Sequence, residues 1–86
     1  MSITTTKYVI VLNAEHGMEI PYVFPNVIYH IEFAKAIDEV AVSAGFCYVD
    51  DNGKYVAYGK SESLGLSARP EEDSHLLTFF LTGKKY

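Results

Sequence analysis

The stretch from Val40 to Gly59 constrains the fold more than any other part of the sequence. Two runs rich in β-branched and aromatic residues, 40–49 and 54–59, are separated by Asp50–Gly53. The Asn-Gly pair in this separator is typical of a tight turn between two antiparallel strands. The pattern therefore predicts a β-hairpin, with a two-residue turn at Asn52–Gly53.

The turn length sets the register of this hairpin and decides which side chains share a face. A two-residue turn pairs Val49 with Val56, Cys47 with Tyr58 and Phe46 with Gly59, so that Phe46 covers the bare glycine. One face then carries Cys47, Val49, Val56 and Tyr58, and the other carries Phe46, Tyr48, Tyr55 and Ala57.

Both faces of the hairpin are thus expected to be apolar. A sheet with one solvent-exposed face alternates apolar and polar residues more regularly than this. Either helices cover both faces or a second subunit covers one of them. We favour a second subunit, since two short helices can hardly cover both sides. The sequence therefore predicts a homo-oligomer, most simply a dimer, whose interface residues are Phe46, Tyr48, Tyr55 and Tyr58.

The rest of the chain supplies two more strands and two helices. Strands are expected at 7–12 and 19–24, the second at a sheet edge because Pro21 cannot donate to a ladder. A helical stripe at 27, 31, 34 and 37 predicts a helix over 27–38. Pro70 and three acidic residues open a second helix, whose apolar stripe is Leu76, Leu77, Phe80 and Leu81. The prediction is an α+β fold of order ββαββα, with a four-stranded, largely antiparallel sheet and two helices.

Composition limits the classes of protein that this chain can belong to. Its 86 residues, 49% of them hydrophobic, suit one domain over 1–86, with flexible ends at 1–6 and 84–86. The net charge is −4 and the lysines are dispersed, so DNA and RNA are not expected partners. Apolar runs fall far short of the ~20 residues that span a bilayer, and one cysteine forms no internal disulfide. We expect a soluble, cytoplasmic protein.

The loop from Gly59 to Arg69 carries most of the chemistry. Its hydroxyls, its glycines and its single arginine precede a helix N-terminus, a combination that suits an anion such as a phosphate. The predicted ligand-binding residues are Ser61, Ser63, Gly65, Ser67 and Arg69. The alternative is a capped loop, in which the serines satisfy backbone groups and Arg69 pairs with Glu72, Asp73 or another carboxylate.

Catalytic and metal-binding residues are not indicated elsewhere. His16, His30 and His75 are dispersed and are expected on the surface, and a metal site needs three or four converging ligands. Cys47 lies inside an apolar strand, which predicts a buried and unreactive thiol. Asp50–Asp51 is interpreted as part of the turn, where aspartate side chains commonly bond to nearby backbone groups, and not as a catalytic pair. We therefore expect no catalytic residues, no metal and no cofactor.

Several segments resemble a group of small proteins of unassigned function that tailed phages and prophages encode. The resemblance rests mainly on Ser61–Asp73, of the form SxSLGLxxRPEED, and on EIPYVFP at 19–25 with VSAGF at 42–46. His30, Phe33 and Ala34 at a helix start add to it, and it covers roughly residues 7–77. It implies a phage accessory protein in the cytoplasm of the host bacterium, and it brings no catalytic residues.

Three hypotheses of function follow. The first is a non-enzymatic accessory protein that binds and inhibits a host factor, plausibly a defence component. The second is a protein that binds or sequesters a phosphorylated small ligand, such as a nucleotide, at the 61–69 loop. The third, the least favoured, is a small enzyme.

Overall fold

The computed structural model describes residues 5–83 and contains a main sheet, a small second sheet and two helices. In chain order the elements are β1 (Thr6–Asn13), β2 (Met18–Phe24), α1 (His30–Ile37), β3 (Val40–Val49), β4 (Tyr55–Tyr58), β5 (Lys60–Ser61), β6 (Leu66–Ser67) and α2 (Pro70–Thr82). The predicted α+β fold is confirmed. The sequence analysis missed β5 and β6, a short hairpin inside the loop that follows β4.

The expectation of flexible ends applies partly to residues outside this range. Residues 1–4 and 84–86 lie outside the described residues. Thr6, which was expected in the flexible N-terminal end, instead begins β1 and pairs with Cys47 of β3.

The main sheet has the order β2-β1-β3-β4, and every neighbouring pair is antiparallel. The two strands nearest the N-terminus thus occupy an edge and the adjoining central position. Pro21 lies opposite Ile10 on the edge strand β2, as its missing N–H predicts.

The hairpin of β3 and β4 has a wider turn than expected. The Asp50 N–H donates to the Lys54 carbonyl at 2.8 Å, and the Gly53 N–H donates to the Asp50 carbonyl at 3.0 Å. Gly53 takes a φ of +77°, and the Asp50 carboxylate accepts the N–H groups of Asn52 and Lys54. These contacts build a three-residue connection with a left-handed glycine in place of the predicted two-residue turn.

The predicted register is therefore wrong by one residue. The observed partners are Val49 with Tyr55, Tyr48 with Val56, Cys47 with Ala57 and Phe46 with Tyr58. Because the side-chain period of a strand is two, this slip moves every β4 side chain to the other face. Tyr58 joins the face of Phe46 and Tyr48, whereas Tyr55 joins the face of Cys47.

Each face of the sheet is packed against one helix, and the second subunit expected on one of them stays a prediction. The α2 face buries Tyr8, Ile10, Cys47 and Ala57 against Leu77. The α1 face has its own buried cluster of Val9, Val11, Phe24 and Ala44, packed against α1 and the β5–β6 hairpin through Phe33, Ile37, Leu64 and Leu66.

Helix α1 is shorter than the predicted helix. Val27 precedes it and is 89% exposed, so the first position of the predicted stripe does not contribute to the core. The helix starts after Tyr29, whose N–H donates to the Glu32 carboxylate at 3.3 Å. It ends at Asp38, whose φ of +51° stops the helical path.

Helix α2 buries a face that is largely polar. The Ser74 hydroxyl accepts the Ala57 N–H at 2.8 Å, and the Thr78 hydroxyl accepts the Tyr55 N–H at 2.9 Å. These donors belong to β4, so α2 is hydrogen-bonded directly to this strand. Of the predicted apolar stripe, Leu77 is buried and Leu76 is half-buried, whereas Phe80 and Leu81 are exposed.

The segment from Gly59 to Ala68 is a loop closed at its base, where the Ala68 N–H donates to the Gly59 carbonyl at 3.0 Å. The base crosses β3 at Gly45. A Cβ at Gly45 would lie 2.5 Å from the Tyr58 carbonyl oxygen and 3.3 Å from the Ala68 Cβ. Only glycine leaves room for this crossing, which positions the loop beside α1.

Candidate functional site

A cleft of about 620 Å³ opens between the start of α1 and the segment that follows β4. It brings together residues from both predicted sets, the anion loop and the aromatic interface. It is lined by Lys7, Tyr29, His30, Phe46, Tyr58 and residues 59–63. We refer to it as the aromatic cleft.

One wall of the aromatic cleft is built from rings. The Phe46 and Tyr58 ring centroids are 6.0 Å apart, and Tyr48 extends the row at 5.8 Å from Tyr58. Tyr58 stays 39% exposed. A Cβ at Gly59 would lie 3.1 Å from the Phe46 ring, so Phe46 does cover this glycine, although not as its register partner.

The lining also holds an aromatic ring paired with a cation. Tyr29 is 65% exposed, and the Lys7 ammonium lies 5.2 Å from its ring centroid. The same ammonium donates to the Ile28 carbonyl at 2.8 Å. Lys7 projects from β1 toward α1 and holds the chain just before the helix. A cation and a ring are thus fixed side by side at the mouth of the cleft.

The floor of the aromatic cleft carries two hydroxyls. The Ser61 and Ser63 oxygens are 3.4 Å apart, and Ser61 is buried. The Ser61 oxygen accepts the Leu64 N–H at 3.2 Å, and the Ser63 oxygen accepts the Ile31 N–H at 3.2 Å. The loop is therefore attached to the first turn of α1 through Ser63.

The remaining residues of the predicted anion site do not line this cleft. Gly65 lies in an exposed turn with a φ of +67°, and Ser67 lies in β6 opposite Lys60. Arg69 directs its guanidinium to the Glu19 carboxylate, at 2.7 and 3.3 Å, and reaches Glu72 at 3.4 Å. These contacts are those of the alternative interpretation, in which Arg69 pairs with carboxylates of its own chain.

Arg69 also holds a fully buried carboxylate, that of Asp73. The Arg69 backbone N–H and Nε donate to it at 2.9 and 3.0 Å, and the Tyr8 hydroxyl donates at 2.5 Å. Burial, together with the bond to Asp73, raises the pKa of Tyr8 far above its usual range. The bonds to Glu19 and Asp73 likewise raise the pKa of Arg69, against the effect of its burial. This ionic network joins β1, β2 and α2.

His30 departs from the expectation of a surface histidine, although His16 and His75 are exposed as expected. Its ring is buried, its Nε2 lies 2.8 Å from the Gly45 carbonyl, and it meets Phe24 and Phe46 edge to face. Burial lowers the pKa of His30, which favours a neutral ring that donates to Gly45. No signal in the sequence connects these two positions, 15 residues apart.

The Cys47 thiol is buried, as predicted, and lies on the α2 face. Burial raises the pKa of this thiol, and its sulfur lies 3.2 Å from the Thr6 hydroxyl oxygen. His30 packs on the opposite face with Phe24, so the sheet separates the ring from the thiol. The two residues do not form a nucleophile pair.

The predicted site residues did not include six that line the cleft: Lys7, Tyr29, His30, Gly59, Lys60 and Glu62. Lys7 gives the one usable signal, since it interrupts an otherwise apolar strand with a charge. Across residues 5–83, no group of three potential metal-ligating acids, histidines or cysteines converges. Neither helix in that range has the length and apolar character needed to cross a bilayer.

No match was found for this chain among protein-family models, curated proteins or solved structures.

Proposed function

We propose that this chain is a binding protein that holds a small anionic ligand with a planar ring, such as a nucleotide, in the aromatic cleft. The observation that carries the proposal is the convergence of exposed rings, lysines and serine hydroxyls around one opening. Small-molecule sites combine an apolar surface with a few placed polar groups in this way.

The rings supply the surface on which a planar group stacks. Tyr29 and Tyr58 both line the cleft and are exposed. An aromatic side chain that stacks on a nucleobase contributes about 1–3 kcal/mol. Two such side chains in one lining favour a ligand with a planar ring.

The charges of the cleft favour an anionic group on that ligand. Lys7 and Lys60 line the opening, and Glu62 is its one lining carboxylate. The neutral state favoured for His30 adds no charge. An ammonium carries three donors, so Lys7 can bind a phosphate oxygen while it keeps its bond to Ile28.

Calorimetric titration with mono-, di- and cyclic nucleotides tests this proposal. We expect one class to bind, and Tyr58→Leu and Lys60→Met each to weaken it about tenfold or more. Phe79→Leu, which changes an exposed ring on α2, is the matched control. A panel without binding, or affinities unchanged by both cleft variants, would reject the proposal.

A second candidate is the accessory role that the phage resemblance implies, in which the chain binds and inhibits a host protein. Phe79, Phe80 and Leu81 favour it, because three consecutive large apolar residues are exposed at the end of α2. Contiguous apolar surface of this kind marks protein interfaces. The same surface also suits a homo-oligomer, through residues other than the predicted interface of Phe46, Tyr48, Tyr55 and Tyr58 on β3 and β4.

Sedimentation and native mass spectrometry separate these uses of the α2 surface. A homo-oligomer predicts a wild-type dimer at micromolar concentration and a monomeric Phe80→Glu protein. A host partner predicts a retained polypeptide that Phe80→Glu releases, whereas a ligand in the aromatic cleft predicts a retained small mass that this change leaves in place. A wild-type monomer that retains no polypeptide would reject both uses.

A further inference from the structure

A second concavity, about 820 Å³ in volume, lies on the other side of α1 from the aromatic cleft. It is bounded by α1, the β1–β2 turn, the start of β3 and the segment 64–66. Its apolar lining includes Leu12, Ile31, Val40, Leu64 and Leu66. We refer to it as the acidic groove.

Part of this lining is open to solvent. Val40 is 67% exposed, and Leu12 and Ile31 are also exposed. Helix α1 turns His30 and Phe33 toward the core, so Ile31 and Ala34 form its side of the groove. Together with Val40, Leu12, Leu64 and Leu66, these side chains give the groove an apolar strip.

The charges around this strip have one predominant sign. Glu15, Asp38 and Glu39 line the groove, and Lys35 is the basic residue among its lining side chains. The Glu39 Oε2 atom is buried and has no hydrogen-bond partner among the described residues. An unpartnered buried carboxylate oxygen is costly, so the Glu39 carboxylate, which lines the groove, gains from a cation docked beside it. Asp73, which is buried on the other face, has every such donor within its own chain.

We propose that the acidic groove docks a short amphipathic segment of a partner protein, with a Lys or Arg that reaches Glu39 and apolar side chains that fill the strip. Charge complementarity selects a basic occupant over an acidic one. The number of apolar lining residues selects a peptide over a small amine, which would pair with Glu39 and leave most of the strip exposed. This docking is independent of the ligand proposed for the aromatic cleft.

Fluorescence anisotropy with two labelled peptides tests this proposal. One is a short amphipathic peptide of leucine and lysine, and the other is the same peptide with glutamate in place of lysine. We expect the lysine peptide to bind and the glutamate peptide not to bind. Glu39→Gln should weaken the lysine peptide about tenfold or more, because a charge-assisted bond is lost. Glu71→Gln, on exposed α2 surface, should change its affinity less than about twofold.

Val40→Lys keeps the test independent of any effect of Glu39 on folding. Val40 is exposed at the groove, so a lysine there should repel the basic peptide without disturbing the core, whereas Val40→Glu should strengthen its binding. Equal binding of both peptides, equal losses in Glu39→Gln and Glu71→Gln, or no binding of the lysine peptide would each overturn the proposal. So would self-association of the wild type that Val40→Lys abolishes, since the occupant would then be a second copy of this chain.

Discussion

The two faces of the sheet differ in where their polar groups find partners. On the α2 face, Arg69 binds Glu19 and Asp73, Tyr8 binds Asp73, and two α2 hydroxyls accept N–H groups of β4. On the α1 face, α1 and the short β5–β6 hairpin leave the aromatic cleft and the acidic groove beside them.

This difference indicates a division of labour in a small domain. A chain of this size buries a small apolar core, so its long-range polar contacts are expected to contribute much of its stability. Here the ionic network and the hydroxyl contacts to β4 lie on the α2 face, whereas α1 is held by single bonds that involve Lys7, His30 and Ser63. The α1 face can then keep rings, lysines and carboxylates exposed at a small cost, and it is where we place both proposed binding sites.

The largest loss of stability on the α2 face is expected when the Arg69 side chain is removed. In Arg69→Ala, the buried Asp73 carboxylate keeps the Tyr8 hydroxyl but loses its cationic partner. We expect the free energy of unfolding, measured by urea denaturation, to fall by about 3 kcal/mol. Arg69→Lys should recover only part of the loss, because an ammonium lacks the planar fork that binds Glu19 and Asp73 together.

Glu72→Gln is the control for Arg69, since Glu72 is an exposed partner at 3.4 Å. It should change the stability by less than about 0.5 kcal/mol. If Arg69→Ala lowered the free energy of unfolding as little as this control, the ionic network would not stabilise the fold. Arg69 would then be available to an anion, as the prediction for the 61–69 loop requires.

A somewhat smaller effect is expected where the loop base crosses β3. Gly45→Ala places a methyl group 2.5 Å from the Tyr58 carbonyl oxygen, so the chain must shift. We expect a loss of about 1–3 kcal/mol in urea denaturation. Gly65→Ala is the matched control: its added methyl meets nothing within 4 Å, and only its φ of +67° costs energy, about 1 kcal/mol. A larger loss in Gly65→Ala than in Gly45→Ala would contradict the crossing.

His30 gives the α1 face a pH dependence of its own. Burial lowers the pKa of His30 below 6.5. As the pH falls through that value, His30 is therefore protonated in the unfolded chain before it is protonated in the folded chain. Stability should therefore fall with decreasing pH, by up to about 1.4 kcal/mol per pH unit, until the folded pKa is reached. Above this range both states are neutral at His30, and its contribution is constant.

His30→Gln removes this titration and keeps an N–H donor for the Gly45 carbonyl. The difference in unfolding free energy between wild type and variant should shrink as the pH falls from about 7.5 to 5. The exposed His16 and His75 are present in both proteins, so they cancel in this comparison. A constant difference would show that His30 titrates alike in both states.

The smallest effect is expected in the aromatic cleft. Tyr58→Leu and Lys60→Met alter exposed side chains, so each should shift the free energy of unfolding by about 0.5 kcal/mol or less. The same variants should reduce ligand affinity strongly. Losses as large as that of Arg69→Ala would mean that the cleft contributes to the fold as the α2 face does, and the division between the faces would fail.

Local patterns in the sequence predicted the element order well. Alternation and β-branched content located β3 at 40–49, and Pro21 located the edge strand. The β4 register was missed because it depends on how the Asp50 carboxylate and a left-handed Gly53 close the turn together. The dipeptide Asn-Gly does not carry that information.

The site was harder to predict because its contacts join distant positions. Arg69 bonds to Glu19, which is 50 residues away in the sequence. His30 bonds to a backbone carbonyl, and a pattern of side chains does not predict such a contact. Ser74 and Thr78 look like surface residues of a helix until β4 is placed beside them. The serines of the 61–69 loop were predicted as a group, yet only Ser61 and Ser63 reach the cleft.

The contact between α2 and β4 also limits how copies of this domain can assemble. Strands polymerise through the free N–H and C=O groups of an edge, and here the hydroxyls of Ser74 and Thr78 already occupy the two N–H groups on the outer side of β4. At the opposite edge, Pro21 interrupts β2 near its middle. Sheet extension is therefore obstructed at both ends, which protects the domain against fibre-like stacking. Pairing of two copies through either sheet edge is therefore disfavoured, and a mutation that detaches α2 would expose an edge open to aggregation.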